Sequence, residues 1–312
     1  MQILCFGGGV LNTRLTTEPE QKARENMEKF CDLHAHSTYS DGTLSPAELI
    51  ALAEREGLGA LALTDHNTVS GLPAFLEAAA NSAVQVVPGV EFSTDYGEKE
   101  VHILALFVKP EHYAAVTETV RPMLERKEQS NLDLVAGLKT AGILLDYEKI
   151  KAATPDGQVN RAVIAAELVR LGYCGSVKEA FKSVLSEKHG FFHPPKRLDA
   201  LDTIAFIKSI GAVAVLAHPF LNLSEEELRR FLPQAVERGL DAMEVYYSDF
   251  SSEQVEQLSR MAEEFDLLPS GGSDFHGANK PRIRLGTGMD NLRIPCSVKE
   301  KLAQRVGKYV EK

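Results

Sequence analysis

Residues 30–66 read FCDLHAHSTYSDGTLSPAELIALAEREGLGALALTDH, and this stretch decides the fold. Phe30–His36 is a short apolar-rich run that reads as a buried strand, and Leu58–Thr64 is a second. Between them lies an amphipathic helix with its punctuation in place. Ser45 can cap it, Pro46 suits the first helical position, Glu48 can close a capping box and Gly57 marks the end. Leu49, Leu52 and Ala53 form its apolar stripe. A strand, a helix and a strand in succession predict parallel neighbours in one sheet.

The same alternation continues outward. Gln85–Phe92, Val101–Val108, Ala212–Ala217, Leu240–Tyr246 and Leu267–Gly272 bring the predicted strands to seven. The class is α/β, with a mainly parallel sheet or barrel over 30–111 and 201–295. The segment 112–200 interrupts it and reads as a helical insert on the active face. Its apolar stripes are Leu132, Val135 and Leu138, then Val163, Ile164, Leu168 and Leu171, with Gly137 and Gly142 as punctuation. A C-terminal helix is expected over 296–312. Residues 1–29, with the triplet Gly7, Gly8 and Gly9, read as an extension or as a start placed upstream of Met27. The triplet lacks the GxxxxGK[ST] spacing of a phosphate-binding loop.

Composition bounds the function. The 312 residues are 44% hydrophobic and 25% charged, an ordinary globular balance. The net charge of −10 argues against gripping long duplex DNA or an anionic membrane. A small phosphorylated ligand stays compatible, because bound metal ions supply local positive charge. No apolar run approaches the roughly 20 residues of a membrane span. Cys5, Cys31, Cys174 and Cys296 form no CxxC pair and read as reduced thiols of a cytoplasmic protein. The opening MQILCFGGGV has no Lys or Arg before its short apolar run, so it is a poor secretory signal.

Of nine histidines, six fall in or beside predicted strands: His34, His36, His66, His102, His218 and His276. Ligands at the C-terminal ends of several strands are what a barrel active site is made from. In Asp32-Leu33-His34-Ala35-His36, the two histidines are two apart, so on a strand they share a face and can bind one ion. Asp41 follows in Ser40-Asp41-Gly42, and Asp65-His66 ends the second strand, where Asp65 can orient an imidazole or cap the next helix. Glu91 ends the third strand and is a candidate bridging carboxylate. His102 begins the fourth strand, the wrong end for a strictly parallel barrel. The short connection Thr94–Lys99, with Gly97, makes a hairpin that returns His102 to Glu91. His218 ends the fifth strand, and Asp274 and His276 follow the last one, again two apart. Nine candidate ligands are too many for one ion and enough for two or three; imidazoles with carboxylates suit zinc, manganese or iron.

These motifs, taken in order, resemble the PHP (polymerase and histidinol phosphatase) family. They are His34-Ala35-His36 with Ser37-Thr38-Tyr39-Ser40-Asp41-Gly42, Leu63-Thr64-Asp65-His66-Asn67-Thr68, Gly89-Val90-Glu91, Ala217-His218-Pro219 and Gly272-Ser273-Asp274-Phe275-His276. The resemblance implies a distorted (β/α)7 barrel with three metal sites. His34, His36, Glu91 and Asp274 surround the first; Glu91, His102 and His218 the second; Asp41, His66 and His276 the third. The layout is most similar to stand-alone phosphoesterases acting on nucleoside 3′,5′-bisphosphates or on short 5′-phosphorylated RNA through an activated hydroxide. Val159-Asn160-Arg161-Ala162-Val163-Ile164-Ala165 resembles a stretch that reads GRPHIA in the family, with Ala162 and Val163 departing from it. That implies a substrate phosphate on Arg161. Lys196, with Arg197 beside it, is a further basic candidate. Glu91, His218 and Asp274 are the candidate catalytic residues, the last two for the proton of the leaving oxygen. Three rival readings are a histidinol-phosphate-type phosphatase, an amide- or lactone-hydrolysing enzyme and a non-catalytic metal-binding module. The first needs an anionic partner for an amine, and the second needs lysine ligands; neither is evident.

Overall fold

The structure, a computed structural model, describes residues 29–154 and 159–307. The expected extension and the alternative start at Met27 lie outside the described residues, apart from Lys29. The strands are β1 (Cys31–Asp32), β2 (Ala60–Leu63), β3 (Gln85–Tyr96), β4 (Lys99–Leu106), β5 (Leu198–Asp199), β6 (Val213–Leu216), β7 (Ala242–Tyr247) and β8 (Leu268–Gly272). Their order in the sheet is β1-β2-β3-β4-β6-β7-β8, with β5 paired to β3. The sheet curls until its edges meet. Leu33 N–H donates to the Gly271 carbonyl at 3.3 Å, Asp274 N–H to His34 at 2.9 Å and His36 N–H to Phe275 at 2.9 Å. The result is a nearly closed barrel of seven strands, with β4 the only member antiparallel to its neighbours.

The predicted hairpin is present and tighter than expected. Pairing runs out to Tyr96 opposite Lys99, so most of Thr94–Lys99 is strand. Gly97, at φ +62°, takes the left-handed turn position that a side chain resists. Ser93 faces His102 and Glu91 faces Leu104, which puts Glu91 and His102 on one side of the ladder. The first strand is shorter than predicted, because residues 33–36 are shared between the closure bonds and a bridge from Ala35 to Phe275. The two-residue β5 carries no apolar pattern, and nothing in the sequence announced it.

The first helix, α1 (Pro46–Arg55), has the predicted capping box between Ser45 and Glu48 and buries Leu49, Ile50 and Ala53. Helices α2 (Leu72–Ala78), α7 (Ala200–Ser209), α8 (Glu225–Glu237) and α9 (Ser252–Glu264) pack around the sheet, after an intervening helical segment of α3 (Tyr113–Thr140), α4 (Tyr147–Ala153), α5 (Arg161–Arg170) and α6 (Val177–Lys182). A separate cluster fills the barrel interior below the site; α10 (Cys296–Ala303) closes it with Val298 and Leu302.

The intervening helices form a core of their own around Leu134, Leu138, Ile164 and Leu168. Helix α3 serves both cores. Val116, Val120 and Met123 pack on the barrel, while Leu134 and Leu138 belong to the second cluster. Two stripe positions are corrected: Leu132 and Leu171 are exposed at 38% and 41%. Asn131 takes an interior place instead, with its amide donating to the Val159 carbonyl at 2.9 Å. Gly137 lies within α3 and does not end it.

Candidate metal centre at the barrel mouth

Glu91 is the hub. It is fully buried on β3, and each carboxylate oxygen faces a different set of imidazoles. Oε1 lies 2.8 Å from His102 Nδ1 and 3.1 Å from His218 Nε2. Oε2 lies 3.1 Å from His34 Nε2, His36 Nε2 and His66 Nδ1. Asp274 Oδ1 completes one side at 3.6 Å from His34 Nε2 and 3.3 Å from His36 Nε2. Asp41 sits farther out, 3.2 Å from His276 Nε2 and 3.9 Å from His66 Nε2. All nine candidate ligands therefore meet at one mouth. Their donor atoms fall into three groups: His34, His36, Glu91 and Asp274; His36, Asp41, His66 and His276; and His66, Glu91 and His102. His218 stands outside these groups but reaches the same Glu91 oxygen as His102.

The local backbone is shaped for this convergence. Asn67, His218 and Asp274 all have positive φ, at +55°, +27° and +57°. Such conformations persist only when the surroundings fix them. For His218 the fixing group is Glu244, whose Oε2 accepts its backbone N–H at 2.8 Å. The other oxygen of Glu244 lies 3.0 Å from His34 Nδ1, so one buried carboxylate holds two histidines. Asp32 performs the same service beneath the mouth. It accepts from the backbone N–H of His34, Ser273 and Gly286 and from the Ser273 hydroxyl. Asp65 neither contacts an imidazole nor caps a helix. It accepts from Ser37 N–H and from the hydroxyls of Ser37 and Ser40, which fixes the loop before Asp41.

The electrostatics call for cations. Burial opposes charge on Glu91, yet the His66, His34 and His102 rings hold its carboxyl well below the usual range. Asp274 is also held well below it: burial works against the charge, and His34 and His36 outweigh it. Burial opposes the charged forms of His36 and His102, but carboxylates push both up to about 9. Burial takes His66 down to about 3, with the His36 and His102 rings adding to it against the opposing pull of Glu91 and Asp41. Two buried polar atoms, Glu91 Oε2 and His66 Nδ1, have no hydrogen-bond partner. Orphaned lone pairs at the centre of an imidazole–carboxylate cluster are what divalent ions would satisfy, so these residues fit metal binding.

Sequence reasoning missed Glu244, Lys280, Tyr247 and Lys127. Lys280 Nζ donates to Asp274 Oδ2 at 2.6 Å, and Tyr247 hydroxyl donates to the same oxygen at 2.7 Å. A cavity of about 150 Å³ opens on Asp41 and His66 and is lined by Asn67, Ser93, Lys127 and Asn160. Those four residues also line the next cavity, of about 210 Å³, which contains Arg161 and Arg197. The Arg161 guanidinium lies 4.1 Å above the Phe192 ring. Lys196 is exposed and lines neither cavity; its carbonyl accepts from Arg126. Arg197 pairs with Asp95 at 3.1 Å and Glu100 at 2.7 Å.

A distorted barrel whose mouth gathers six imidazoles and three carboxylates defines a metal-dependent hydrolase. The chain belongs to the PHP domain family, whose profile matches residues 32–190, and it is a metal-dependent phosphoesterase of that family. It is 35% identical to a 5′-3′ exoribonuclease of Haemophilus influenzae, over 80% of this chain and 91% of that one. It is 30% identical to a 3′,5′-nucleoside bisphosphate phosphatase of Chromobacterium violaceum, over 78% of this chain and 86% of that one. Among solved structures, it superposes with a TM-score of 0.75 on a Bifidobacterium adolescentis protein provisionally assigned as a metal-dependent phosphoesterase. That pair is 26% identical over 91% of this chain and 99% of that one. Among the described residues, no helix is long and apolar enough to cross a membrane.

Proposed function

We propose that the mouth hydrolyses phosphate esters of nucleotides, with a 3′,5′-nucleoside bisphosphate or short 5′-phosphorylated RNA as substrate. Two or three divalent ions, Mn, Zn or Fe, would be held by three ligand sets. His34, His36, Glu91 and Asp274 form one, Glu91, His102 and His218 another, and Asp41, His66 and His276 the third. Such ions, when bound, supply Lewis-acid charge to phosphoryl oxygens and bring the ionisation of water toward neutral pH. The chain's own part is placement and charge. Glu91 sets the spacing of the ligand sets, Glu244 and Asp32 fix the strand ends, and Lys280 adds a cation beside Asp274. Asp274 and His218 are the two side chains that would supply the proton to the leaving oxygen.

One observation carries the substrate class. Asn67, Ser93, Lys127 and Asn160 line both the cavity at His66 and the cavity at Arg161. A substrate with its reacting phosphate among the ligands can therefore extend a second phosphate toward Arg161, whose planar donors suit it. Among the described residues lining the Arg161 cavity, the one carboxylate, Glu100, is taken by Arg197 and His102. This favours a nucleotide over histidinol phosphate. The cytoplasm is the proposed compartment; among the described residues Cys31, Cys174 and Cys296 form no disulfide, which is compatible with it. The test is release of phosphate or nucleotide from a panel after manganese reconstitution. The panel holds a 3′,5′-bisphosphate, a 5′-phosphorylated dinucleotide, histidinol phosphate and an anilide. Turnover of the first two is expected; preference for either of the others overturns the assignment.

A further inference from the structure

At the end of the barrel opposite the metal mouth, two cysteines from far apart in the chain meet. Cys31 opens β1, and Cys296 is the first residue of α10. Phe30 and Pro295 form an antiparallel bridge between the two segments. Cys31 N–H donates to the Ile294 carbonyl at 2.8 Å, and Cys296 N–H donates to the Lys29 carbonyl at 2.9 Å. Each cysteine directly follows its bridge residue, so both lie on the face opposite Phe30 and Pro295, on a diagonal of the short ladder. There the two thiols interact side chain to side chain. Cys31 is fully buried, in the cluster with Ala60, Val298 and Leu302, and its Sγ lies 3.7 Å from the Pro295 carbonyl oxygen. Cys296 is half-buried and lines a cavity of about 310 Å³ with Lys29, Gly59, Gln85 and Glu300. Gly59 seats its sulfur: a Cβ there would lie 2.7 Å from Cys296 Sγ. Lys299 Nζ donates to Gln85 Oε1 at the wall of the same cavity. The bond to Cys31 and the charges of Lys299 and Lys29, against burial and Glu300, bring the Cys296 thiol down to about 7. The same bond, with burial, pushes the Cys31 thiol up.

We propose that Cys31 and Cys296 form a reversible redox site, in which a low-molecular-weight disulfide such as oxidised glutathione reacts at Cys296 and the pair then closes to a disulfide that ties α10 to β1. An accessible thiol backed by a second, buried one is the arrangement that such chemistry uses. Two exchanges make the bond. The Cys296 thiolate attacks one sulfur of the oxidant, the oxidant's S–S bond breaks, and one glutathione leaves as a thiolate that takes up a proton. Cys31 Sγ then attacks Cys296 Sγ in the mixed disulfide. The second glutathione leaves, and the Cys31 proton passes to it. Two protein thiols are oxidised, and one disulfide is reduced to two thiols. The metal ligands at the C-terminal ends of the strands take no part. Gly59 and Gln85 beside Cys296 stand at the N-terminal starts of β2 and β3. What the bond changes is the attachment of the helix that closes the barrel interior from below.

The test treats the full-length, manganese-loaded enzyme with oxidised glutathione at mildly alkaline pH and counts thiols after denaturation. The chain has four cysteines, so the count should fall from four to two. Peptide mapping should find Cys31 joined to Cys296, and dithiothreitol should restore all four thiols. Oxidation should raise Tm by about 5 °C, because the bond closes a loop over most of the described chain. In Cys296→Ser, Cys31 should stay reduced, shielded by its burial. In Cys31→Ala, the reaction should stop at the mixed disulfide, seen by mass spectrometry as glutathione held on Cys296. A count that stays at four, a bond to Cys5 or Cys174 in place of the pair, an oxidised Cys31 in Cys296→Ser, or a Tm that does not rise overturns the proposal. The wild-type map decides the pairing even where a variant fails to fold.

Discussion

The barrel mouth and the helical insert build their parts of the site by opposite means. At the mouth, six of the nine candidate ligands are buried, and several are backed by another group. Glu244 holds His34 and the His218 backbone, Asp32 holds Ser273 beside Asp274, and Tyr247 and Lys280 hold Asp274 itself. In the insert, Arg161 starts a helix, rests on the Phe192 ring and looks into a cavity. Charge at the mouth is fixed before a substrate arrives, which is what transition-state stabilisation requires. Charge on the insert belongs to helices with their own small core, and it selects what is held there. Damage at the mouth should therefore abolish reaction on every substrate, while damage in the insert should discriminate among them.

The largest effect is expected for Glu91→Gln. A neutral amide bridges cations poorly, and five imidazoles lose their common carboxylate. A loss of several kcal/mol corresponds to about three orders of magnitude in kcat/KM, on all substrates alike. Steady-state assays on a bisphosphate and an aryl phosphate check this. A substrate-selective loss would remove the contrast between mouth and insert.

Glu244→Gln sharpens it. The side chain touches no cavity described above, so its effect should pass through His34 and His218. Metal affinity should drop by about 10–100-fold, measured by chelator competition, with the fold retained by circular dichroism. Unchanged affinity would make Glu244 a purely structural residue.

Arg161→Ala should lower kcat/KM for a 3′,5′-bisphosphate by about one to two orders of magnitude. That follows from a charge-assisted contact worth roughly 1.5–3 kcal/mol. A simple aryl phosphate should lose much less, and bound metal should not change. Equal loss on both substrates would move Arg161 onto the reacting phosphoryl group.

The smallest effect concerns pH and the metal-free protein. His36 and His102 are pushed up to about 9 by carboxylates that outweigh their burial. Their stabilisation is complete below the unfolded value near 6.5 and is lost as pH rises through 9. His66 is depressed and is already neutral throughout that window. Thermal unfolding with a chelator should thus show Tm falling from pH 6.5 to 9. Added manganese should flatten the curve, because the imidazoles then hold metal in place of protons. A flat curve without metal would contradict this account of the mouth.

Much of the mouth was legible in the sequence, because its ligands sit at strand ends and strands carry a readable apolar pattern. The short Gly97 connection even announced the reversal that returns His102 to Glu91. Glu244 left a trace that went unread: an acid in the apolar strand Ala242-Met243-Glu244-Val245 is costly unless paired. Lys127 left none, since it lies in the run Glu125-Arg126-Lys127-Glu128 on a long helix, where charge is ordinary. The insert was harder for the same reason. Its stripe was displaced at Leu132, because Asn131 occupies a core position through a hydrogen bond that periodicity does not encode, and at Leu171, which falls at the C-cap beyond the end of α5. Lys196 and Arg197 are adjacent and chemically similar. Only the fold turns Arg197 toward the cavity and leaves Lys196 outside it.

The most direct test of the central claim is a count of metal ions per chain after full reconstitution with manganese, made in parallel on the wild type and Glu91→Gln. Two or three ions in the wild type, with a clear loss in the variant, is the result this account predicts. Fewer than one ion in the wild type would contradict it.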